Sequence, residues 1–374
     1  MNLMSVDTGS VDKFLDSISS LDHAPWSGVS HDRLHVTKIT GGLTNILYKV
    51  SLVQPESHIA RPEILVRIFG AMDGLLDRKK ENLILSKLSE CGVSPRLIAE
   101  FDWGRLEEFL SNRSPLKSGV DMVRITPECD MVALIAERLR VLHSVNLEVD
   151  HSTLSANVLD VTDRWLSLAQ NYGNTIKASP KCPDFAPPTI PILAEEVSHV
   201  RQFITLQILT HPMVSTSSIC NCLVKQVLCH NDMLAGNLLY DETDNSLRLI
   251  DFEYSGYNFA VADIANVCAA VCESIMLSGQ PQDVGKNFPS DDVQLHFVSK
   301  YLGGPDPIPT EEHEPILLII RAFAMAEELR WTIWGILQSQ QAVGDFDYCM
   351  YYNSRFNAYK EYKRIVEHKL AALG

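Results

Sequence analysis

The chain is 374 residues long, 46% hydrophobic, and carries a net charge of −15. That length suits one large or two medium domains with a full core, and the acidic balance argues against a nucleic-acid partner, which would need a basic face. No apolar run reaches the ~18 residues of a membrane span; the longest aliphatic block, "ILLII" at 316–320, is closed by Arg321.

The N-terminus "MNLMSVDTGSVDKFLDSISS" carries acids and no apolar core, so no secretory signal is expected. Nine cysteines, an odd number without framework spacing, read as reduced thiols of a cytoplasmic protein. Residues 1–30 read as a tail or cap helix. "HVTKITGGLTNILYKVSL" alternates apolar and polar residues around a Gly pair and predicts a hairpin with its turn at Thr40 to Thr44. "EILVRIFG" predicts a third strand. "LLDRKKENLILSKLSECGV" has helical periodicity, with Leu76, Leu83, Leu85 and Leu88 expected inside and Gly92 ending the helix. "RLIAEF" and "GRLEEFL" predict two more strands, so residues 1–113 read as a small α+β lobe.

Beyond it "DMVALIAERLRVLHSV" is an amphipathic helix, and 165–207 is helical at both ends around the Pro-rich "NYGNTIKASPKCPDFAPPTIPI". Two short strands, "NLLY" and "SLRLID", flank the "DETDN" turn. From Ala262 onward the chain is mostly helical. Residues 114–374 therefore read as a large helical lobe, and a cleft between two such lobes commonly holds ligands.

The stretch "LCHNDMLAGNLLYDETDNSLRLIDFEYSGYN" carries the chemistry. His230 and Asp232 are followed by Asn237, five residues after the Asp, and by Asp251, fourteen residues further on. Protein kinases space their catalytic loop and metal-binding Asp in this way. Each residue alone would more readily cap a turn. Together, with a strand hairpin between them, they point to phosphoryl transfer. Asp232 would take the proton of an acceptor hydroxyl. Asn237 and Asp251 would hold Mg²⁺ through oxygen, and Glu253, two residues along a strand, would face the same side. Upstream, Gly41, Gly42, Thr44 and Asn45 form a turn whose N–H groups suit the phosphates of ATP. Arg67 stands where kinases place a phosphate-pairing Lys, with Glu81 as its expected partner. Backbone groups of Glu108 and Leu110 fall where adenine would be met.

The run "CHNDMLAGNLLY … LIDFEYSGYNFAVADIAN" resembles the choline and ethanolamine kinases. The likeness extends through "ITGGLTNILYKVS", "LVRIFG", "GRLEEFL" and "WTIWGILQSQQAVGDFDYCMYYNSRFNAY", over roughly residues 34–362. Tyr254, Tyr257, Asn258, Asp263 and Asn266 belong to the family's second signature. The resemblance implies a protein-kinase-like two-lobe fold, ATP-dependent phosphorylation of a small amino alcohol for phospholipid head groups, and a homodimer. Trp331 and Trp334 share a helix face. With Phe346 and Tyr351 they map onto the family's ammonium pocket, where aromatic faces attract a cation.

Two positions depart from the family. Ala270 stands where a Glu is usual, and Glu273, one turn on, is the expected replacement in the substrate pocket. Ala265 replaces the usual Gly. Leu234, "DFDY" and "GGLTN" look like the ethanolamine branch, and "GRLEEFL" like the choline branch. Ethanolamine is the expected acceptor; choline, or both amines, is the alternative. A sugar or antibiotic phosphotransferase and a non-catalytic nucleotide-binding scaffold are the competing classes.

Overall fold

The computed structural model describes residues 8–22, 26–39, 45–53, 63–70, 75–172, 188–277, 287–304, 307–341 and 346–373. The chain divides into two compact units. One combines Met1–Asp73 with Leu88–Asn112, the other Gly74–Lys87 with Arg113–Gly374.

In the first unit, helix α1 (Thr8–Ser19) accompanies five antiparallel strands: β1 (Leu34–Ile39), β2 (Asn45–Leu52), β3 (Glu63–Phe69), β4 (Leu97–Phe101) and β5 (Gly104–Glu108). Their order in the sheet is β1-β2-β3-β5-β4. The expected hairpin is present, with Leu34 opposite Leu52 and Ile39 opposite Leu47; its turn, with Gly41, Gly42 and Thr44, lies outside the described residues. Period-two alternation puts Tyr48, Val50 and Leu52 on one face, where they pack with Phe14, Ile18, Ile64, Val66 and Leu106.

The other face of the sheet buries charge. Arg67 on β3 stands opposite Arg105 on β5. Both Nε groups donate to Oε1 of Glu107, at 2.9 and 2.8 Å. Burial raises the Glu107 carboxyl, but the two guanidinium groups outweigh it and hold the group down to about 2. Gly104 begins β5 because a Cβ there would lie 2.0 Å from the Arg67 carbonyl oxygen.

Helix α2 (Arg78–Glu90) forms where the periodicity predicts it, and Gly92 follows at φ +69°. Its buried face differs in part. Glu81, Ile84, Leu85 and Leu88 are inside, whereas Leu83 is 40% exposed and Leu76 only half-buried. Positions 81, 84, 85 and 88 make one stripe at helical spacing, which leaves 83 on the far side.

The second unit is mainly helical: α3 (Gly119–Met122), α4 (Met131–His143), α5 (Val158–Gln170), α6 (Ile190–Phe203), α7 (Pro212–Ser215), α8 (Ser218–Leu223), α9 (Ala260–Leu277), α10 (Asp291–Leu302), α11 (His313–Gln341) and α12 (Tyr348–Leu373). The Pro-rich segment ends earlier than its composition suggests, since Thr189 caps α6 and Pro191 suits its first turn. Helix α11 packs against α5, α9 and α12, and Ile316–Ile320 are buried, as an all-round apolar stretch requires. Among the described residues no helix is long and apolar enough to cross a membrane.

Two small sheets frame the chemistry. β6 (Ser114–Pro115), β8 (Leu238–Asp241) and β9 (Ser246–Leu249) form one; β7 (Gln226–Cys229) and β10 (Gly256–Phe259) form the other. Leu238 pairs with Leu249 and Asp241 with Ser246, as the "DETDN" turn predicts. β9 ends at Leu249, and Asp251 adopts φ +66°. The strand alternation expected to align Glu253 with Asp251 therefore does not apply.

Glu107→Gln removes the charge shared by two buried guanidinium groups and should destabilise the protein by about 3–5 kcal/mol, read from the urea midpoint. Because the folded carboxyl is depressed, its stabilising contribution is complete above the ordinary carboxylate range and fades as pH falls toward about 2. An unchanged midpoint would refute the shared-charge account.

Candidate active site

The loop after β7 turns sharply at Asn231, which has φ +64°, a conformation Asn tolerates better than most residues. Asp263, in the first turn of α9, holds that loop. Its two oxygens accept the backbone N–H groups of His230 and Asn231, each at 2.7 Å. Its Oδ2 also meets His143 Nε2 at 2.9 Å, and His143 Nδ1 meets the Tyr301 hydroxyl at 2.8 Å. Burial opposes the Asp263 charge, but the hydrogen bond and charge of His143 leave the carboxyl below its usual range.

The rest of the second signature completes this scaffold. Asn231 Nδ2 donates to the Tyr254 carbonyl at 3.0 Å, and Asn258 Nδ2 donates to Asn231 Oδ1 at 2.8 Å. Asn266 Oδ1 accepts the Met233 N–H, and the Tyr257 hydroxyl accepts from Leu147 N–H at 3.2 Å. His143, Cys229 and Asp263 bring possible ligand atoms within 4.8 Å of one another. Here the hydrogen bonds among them account for the cluster, since the buried Cys229 thiol is raised well above its usual range and faces the Asn258 and Phe259 carbonyls.

On this support the structure brings Asp232 and Asn237 together. Asn237 Nδ2 donates to Asp232 Oδ2 and to the Asp232 carbonyl, each at 2.9 Å. Asp232 Oδ1 is buried and takes no hydrogen bond among the described residues. Burial first, then the charges of Asp251 and Glu253, raise the Asp232 carboxyl well above its usual value against the pull of Arg330. A raised carboxyl is a better proton acceptor at neutral pH. His230 ties the Asp232 and Asp251 segments together, donating from Nε2 to the Ile250 carbonyl at 2.9 Å. Burial lowers its pKa, so the ring stays neutral. Glu253 is buried and lies 3.5 Å from Arg78 Nη1.

The aromatic residues cluster as expected. Ring centroids of Trp331 and Trp334 are 5.5 Å apart, Trp334 and Tyr351 5.5 Å, and Phe346 and Tyr351 5.8 Å. Tyr254 joins them, 5.3 Å from Trp331, and its hydroxyl accepts from Trp334 Nε1 at 2.8 Å. Two guanidinium groups also belong to the cluster. Arg330 lies 4.4 Å from the Trp331 ring centre, and Arg355 5.1 Å from that of Tyr351. Arg330 is ion-paired with Glu327 at 2.6 Å and donates to the Asn231 carbonyl at 2.6 Å. Arg355 bridges Glu273 at 2.5 Å and Glu328 at 3.2 Å. Burial pushes the Glu328 carboxyl up to about 7 despite Arg355.

In the first unit Arg67 sits on Glu107, as described above. Asn45 opens β2 and is buried. Glu108 uses its backbone N–H on the Arg96 carbonyl, at 2.8 Å, and Leu110 follows half-buried. In the second unit Glu81 accepts from Arg78 at 2.8 Å. Residues without an expected role emerge here: His143, Trp165, Glu327, Glu328 and Arg330. Trp165 and His143 are single residues on ordinary amphipathic helices and give no signal in one dimension. The run "AEELRW" does give one, because three charges inside an apolar helix must be paired or functional.

The family model for choline/ethanolamine kinases matches residues 36–360. A probable ethanolamine kinase of Arabidopsis thaliana is 27% identical over 90% of this chain and 82% of its own length. The choline/ethanolamine kinase of Homo sapiens is 29% identical over the same shares, 90% and 82%. The solved choline kinase of Cryptosporidium parvum superimposes with a TM-score of 0.72 at 23% identity, covering 96% of this chain and 97% of that one. That likeness shows the fold, which is of the protein-kinase-like phosphotransferase class.

Asp263→Asn places an amide N–H against groups that already donate. It should cost about 1–3 kcal/mol in urea unfolding. A stability equal to that of the unaltered protein would show that Asp263 does not carry the loop.

Proposed function

Because the chain belongs to the choline/ethanolamine kinase family, ATP-using alcohol phosphotransferases, we propose that its acceptor is ethanolamine and its product phosphoethanolamine, made for phosphatidylethanolamine synthesis. The observation that carries the catalytic assignment is Asp232, whose unpaired, buried Oδ1 is the proton acceptor. As the acceptor oxygen attacks the γ-phosphorus of ATP, its proton passes to Asp232 Oδ1. The bond from the γ-phosphorus to the β,γ-bridging oxygen breaks and ADP leaves.

Asn237, Asp251 and Glu253 suit Mg²⁺. Their donors are oxygens, the preference of a hard cation. The Asn237 amide nitrogen is turned to Asp232 while its oxygen takes no hydrogen bond among the described residues. The charges of Asp251 and Glu253 bear on Asp232, so the group of carboxylates favours a cation. Mg²⁺ held there would offset the negative charge of the transferring phosphate. For the nucleotide we propose Gly41, Gly42, Thr44 and Asn45 at the phosphates, Arg67 with Glu81 behind them, and the backbone at Glu108 and Leu110 at adenine. By the same resemblance we propose a cytoplasmic homodimer.

Ethanolamine is supported by Leu234 and by the acids beside the aromatic cluster. An ammonium with three N–H donors needs acceptors when it leaves water. Glu328 Oε1 is buried without a partner among the described residues, and Glu273 stands with it on Arg355. The quaternary nitrogen of choline donates no hydrogen bond and is favoured by the ring faces, with "GRLEEFL" as the motif on its side.

ADP release by the purified protein with Mg-ATP should show a larger kcat/KM for ethanolamine than for choline. Equal or reversed values would overturn the acceptor assignment while leaving the kinase. Asp232→Asn should lower kcat by about 10²–10⁴-fold with ATP binding retained. Full turnover by that variant would remove Asp232 from the mechanism, and ATP binding by the unaltered protein without transfer to any amine would favour a scaffold.

A further inference from the structure

The phosphoryl transfer described above assigns nothing to Arg330. Its side chain is only 2% exposed, and Glu327, three residues before it on α11, is fully buried. Replacing such a pair by apolar residues of like volume is often neutral, so stability is a weak reason for its presence. Glu327 Oε2 accepts from Arg330 Nε at 2.9 Å and from Nη2 at 2.6 Å. The guanidinium so held also donates, through Nη2 at 2.6 Å, to the Asn231 carbonyl, 99 residues away in the chain.

That carbonyl belongs to the peptide plane that enters Asp232. A peptide is planar, so an anchor on either of its polar groups sets the whole plane. The plane before it, between His230 and Asn231, is anchored twice. Asp263 Oδ1 accepts the Asn231 N–H at 2.7 Å, and the His230 carbonyl accepts from Ser255 Oγ at 3.2 Å. In the plane entering Asp232, among the described residues, the N–H makes no hydrogen bond and the carbonyl accepts only from Arg330. Asn231 stands at φ +64°, a region few side chains occupy unaided. Asn237 holds Asp232 only from the far side, through its Oδ2 and its own carbonyl. Rotation of the one plane that Arg330 anchors would swing the Asp232 carboxyl, whose Oδ1 is the proton acceptor.

Arg330 also stands 4.4 Å from the ring centre of Trp331 and 5.8 Å from that of Trp165. A lysine would supply the charge, but only the planar fork of arginine serves an acid and a carbonyl together while lying beside a ring. We propose that Arg330 is a positioning residue for the transfer: held by Glu327, it fixes the peptide entering Asp232 and keeps that acid in register with an acceptor bound against α11. The catalytic part of this role rests on the kinase assignment; the hold on the loop does not. A proton acceptor displaced by an ångström costs rate rather than affinity. Loss of Arg330 therefore lowers kcat and spares KM.

The test replaces the pair as a whole, Glu327→Leu with Arg330→Met, so that neither charge is left buried alone. A second variant, Arg330→Lys, keeps a charge beside Glu327 without the fork. On the full chain of each, ADP release is measured with Mg-ATP and ethanolamine or choline, together with urea unfolding and amide hydrogen exchange over residues 229–237. The double variant should unfold near the unaltered urea midpoint and lose about 10²-fold in kcat. Its KM values for ATP and for the amine should stay within about threefold. Exchange over 229–237 should quicken about tenfold while that of α6 is unchanged. Arg330→Lys should lose about tenfold in kcat with the same KM values. Turnover within about twofold of the unaltered protein in either folded variant would overturn the proposal. So would a kcat loss with unchanged loop exchange, or one accompanied by a parallel rise in both KM values. If the double variant does not fold, Arg330→Lys decides alone. If the unaltered protein phosphorylates no amine, the kinase assignment falls, and exchange of the loop still decides whether Arg330 holds it.

Discussion

The Asp263 carboxylate is the interaction on which the candidate active site depends. A proton acceptor must sit at a defined point, yet the loop carrying Asp232 leaves β7 through a left-handed Asn and has no ladder to hold it. Two backbone N–H groups at 2.7 Å from one buried anion replace that ladder. The anion is in turn kept charged by His143, which is held by Tyr301. Its place in the first turn of α9 adds the favourable end of the helix dipole. The loop, α4, α9 and α10 are therefore joined through a single carboxylate.

Buried charge recurs elsewhere, each time at a position where chemistry is proposed. Glu107 serves two arginines in the first unit, one of them Arg67. Arg330 and Arg355 lie between acids and aromatic rings in the second. Such pairs add little net stability, since desolvation offsets their attraction, but removing one partner is costly. They hold long side chains in one arrangement, which is what a recognition site needs. The same balance bears on the absence of Glu at Ala270. Glu273 lies one turn along α9 and reaches Arg355, so an acid remains beside the aromatic cluster although its position in the helix has moved.

Side-chain spacing along the chain was enough for much of this. The alternation in "HVTKITGGLTNILYKVSL" anticipates the β1–β2 register, because a strand with one buried face permits only one pairing. The five-residue step from Asp232 to Asn237 anticipates their contact, because so short a loop gives the two side chains few ways to lie apart. The step from Trp331 to Trp334 places both rings on one face of α11 for the same local reason. The family itself could be read from these motifs, since each is a short run whose spacing carries its geometry.

What local spacing could not supply came from contacts between distant segments. Leu83 was expected inside on apolar character, but which face of α2 is covered depends on what packs against it. The path of Asp251 depends on the end of β9 and on the His230 contact to Ile250, not on strand alternation. His143 and Asp263 are 120 residues apart, and Arg330 and Asn231 are 99 apart, so neither pair has a signature in one dimension. The sequence alone determined the family, the strand pairing and the contact of Asp232 with Asn237, because these follow from spacing within single segments. The tertiary structure alone decided the support of the catalytic loop and the balance of buried charge, because both are set by which remote segments share a low-dielectric interior.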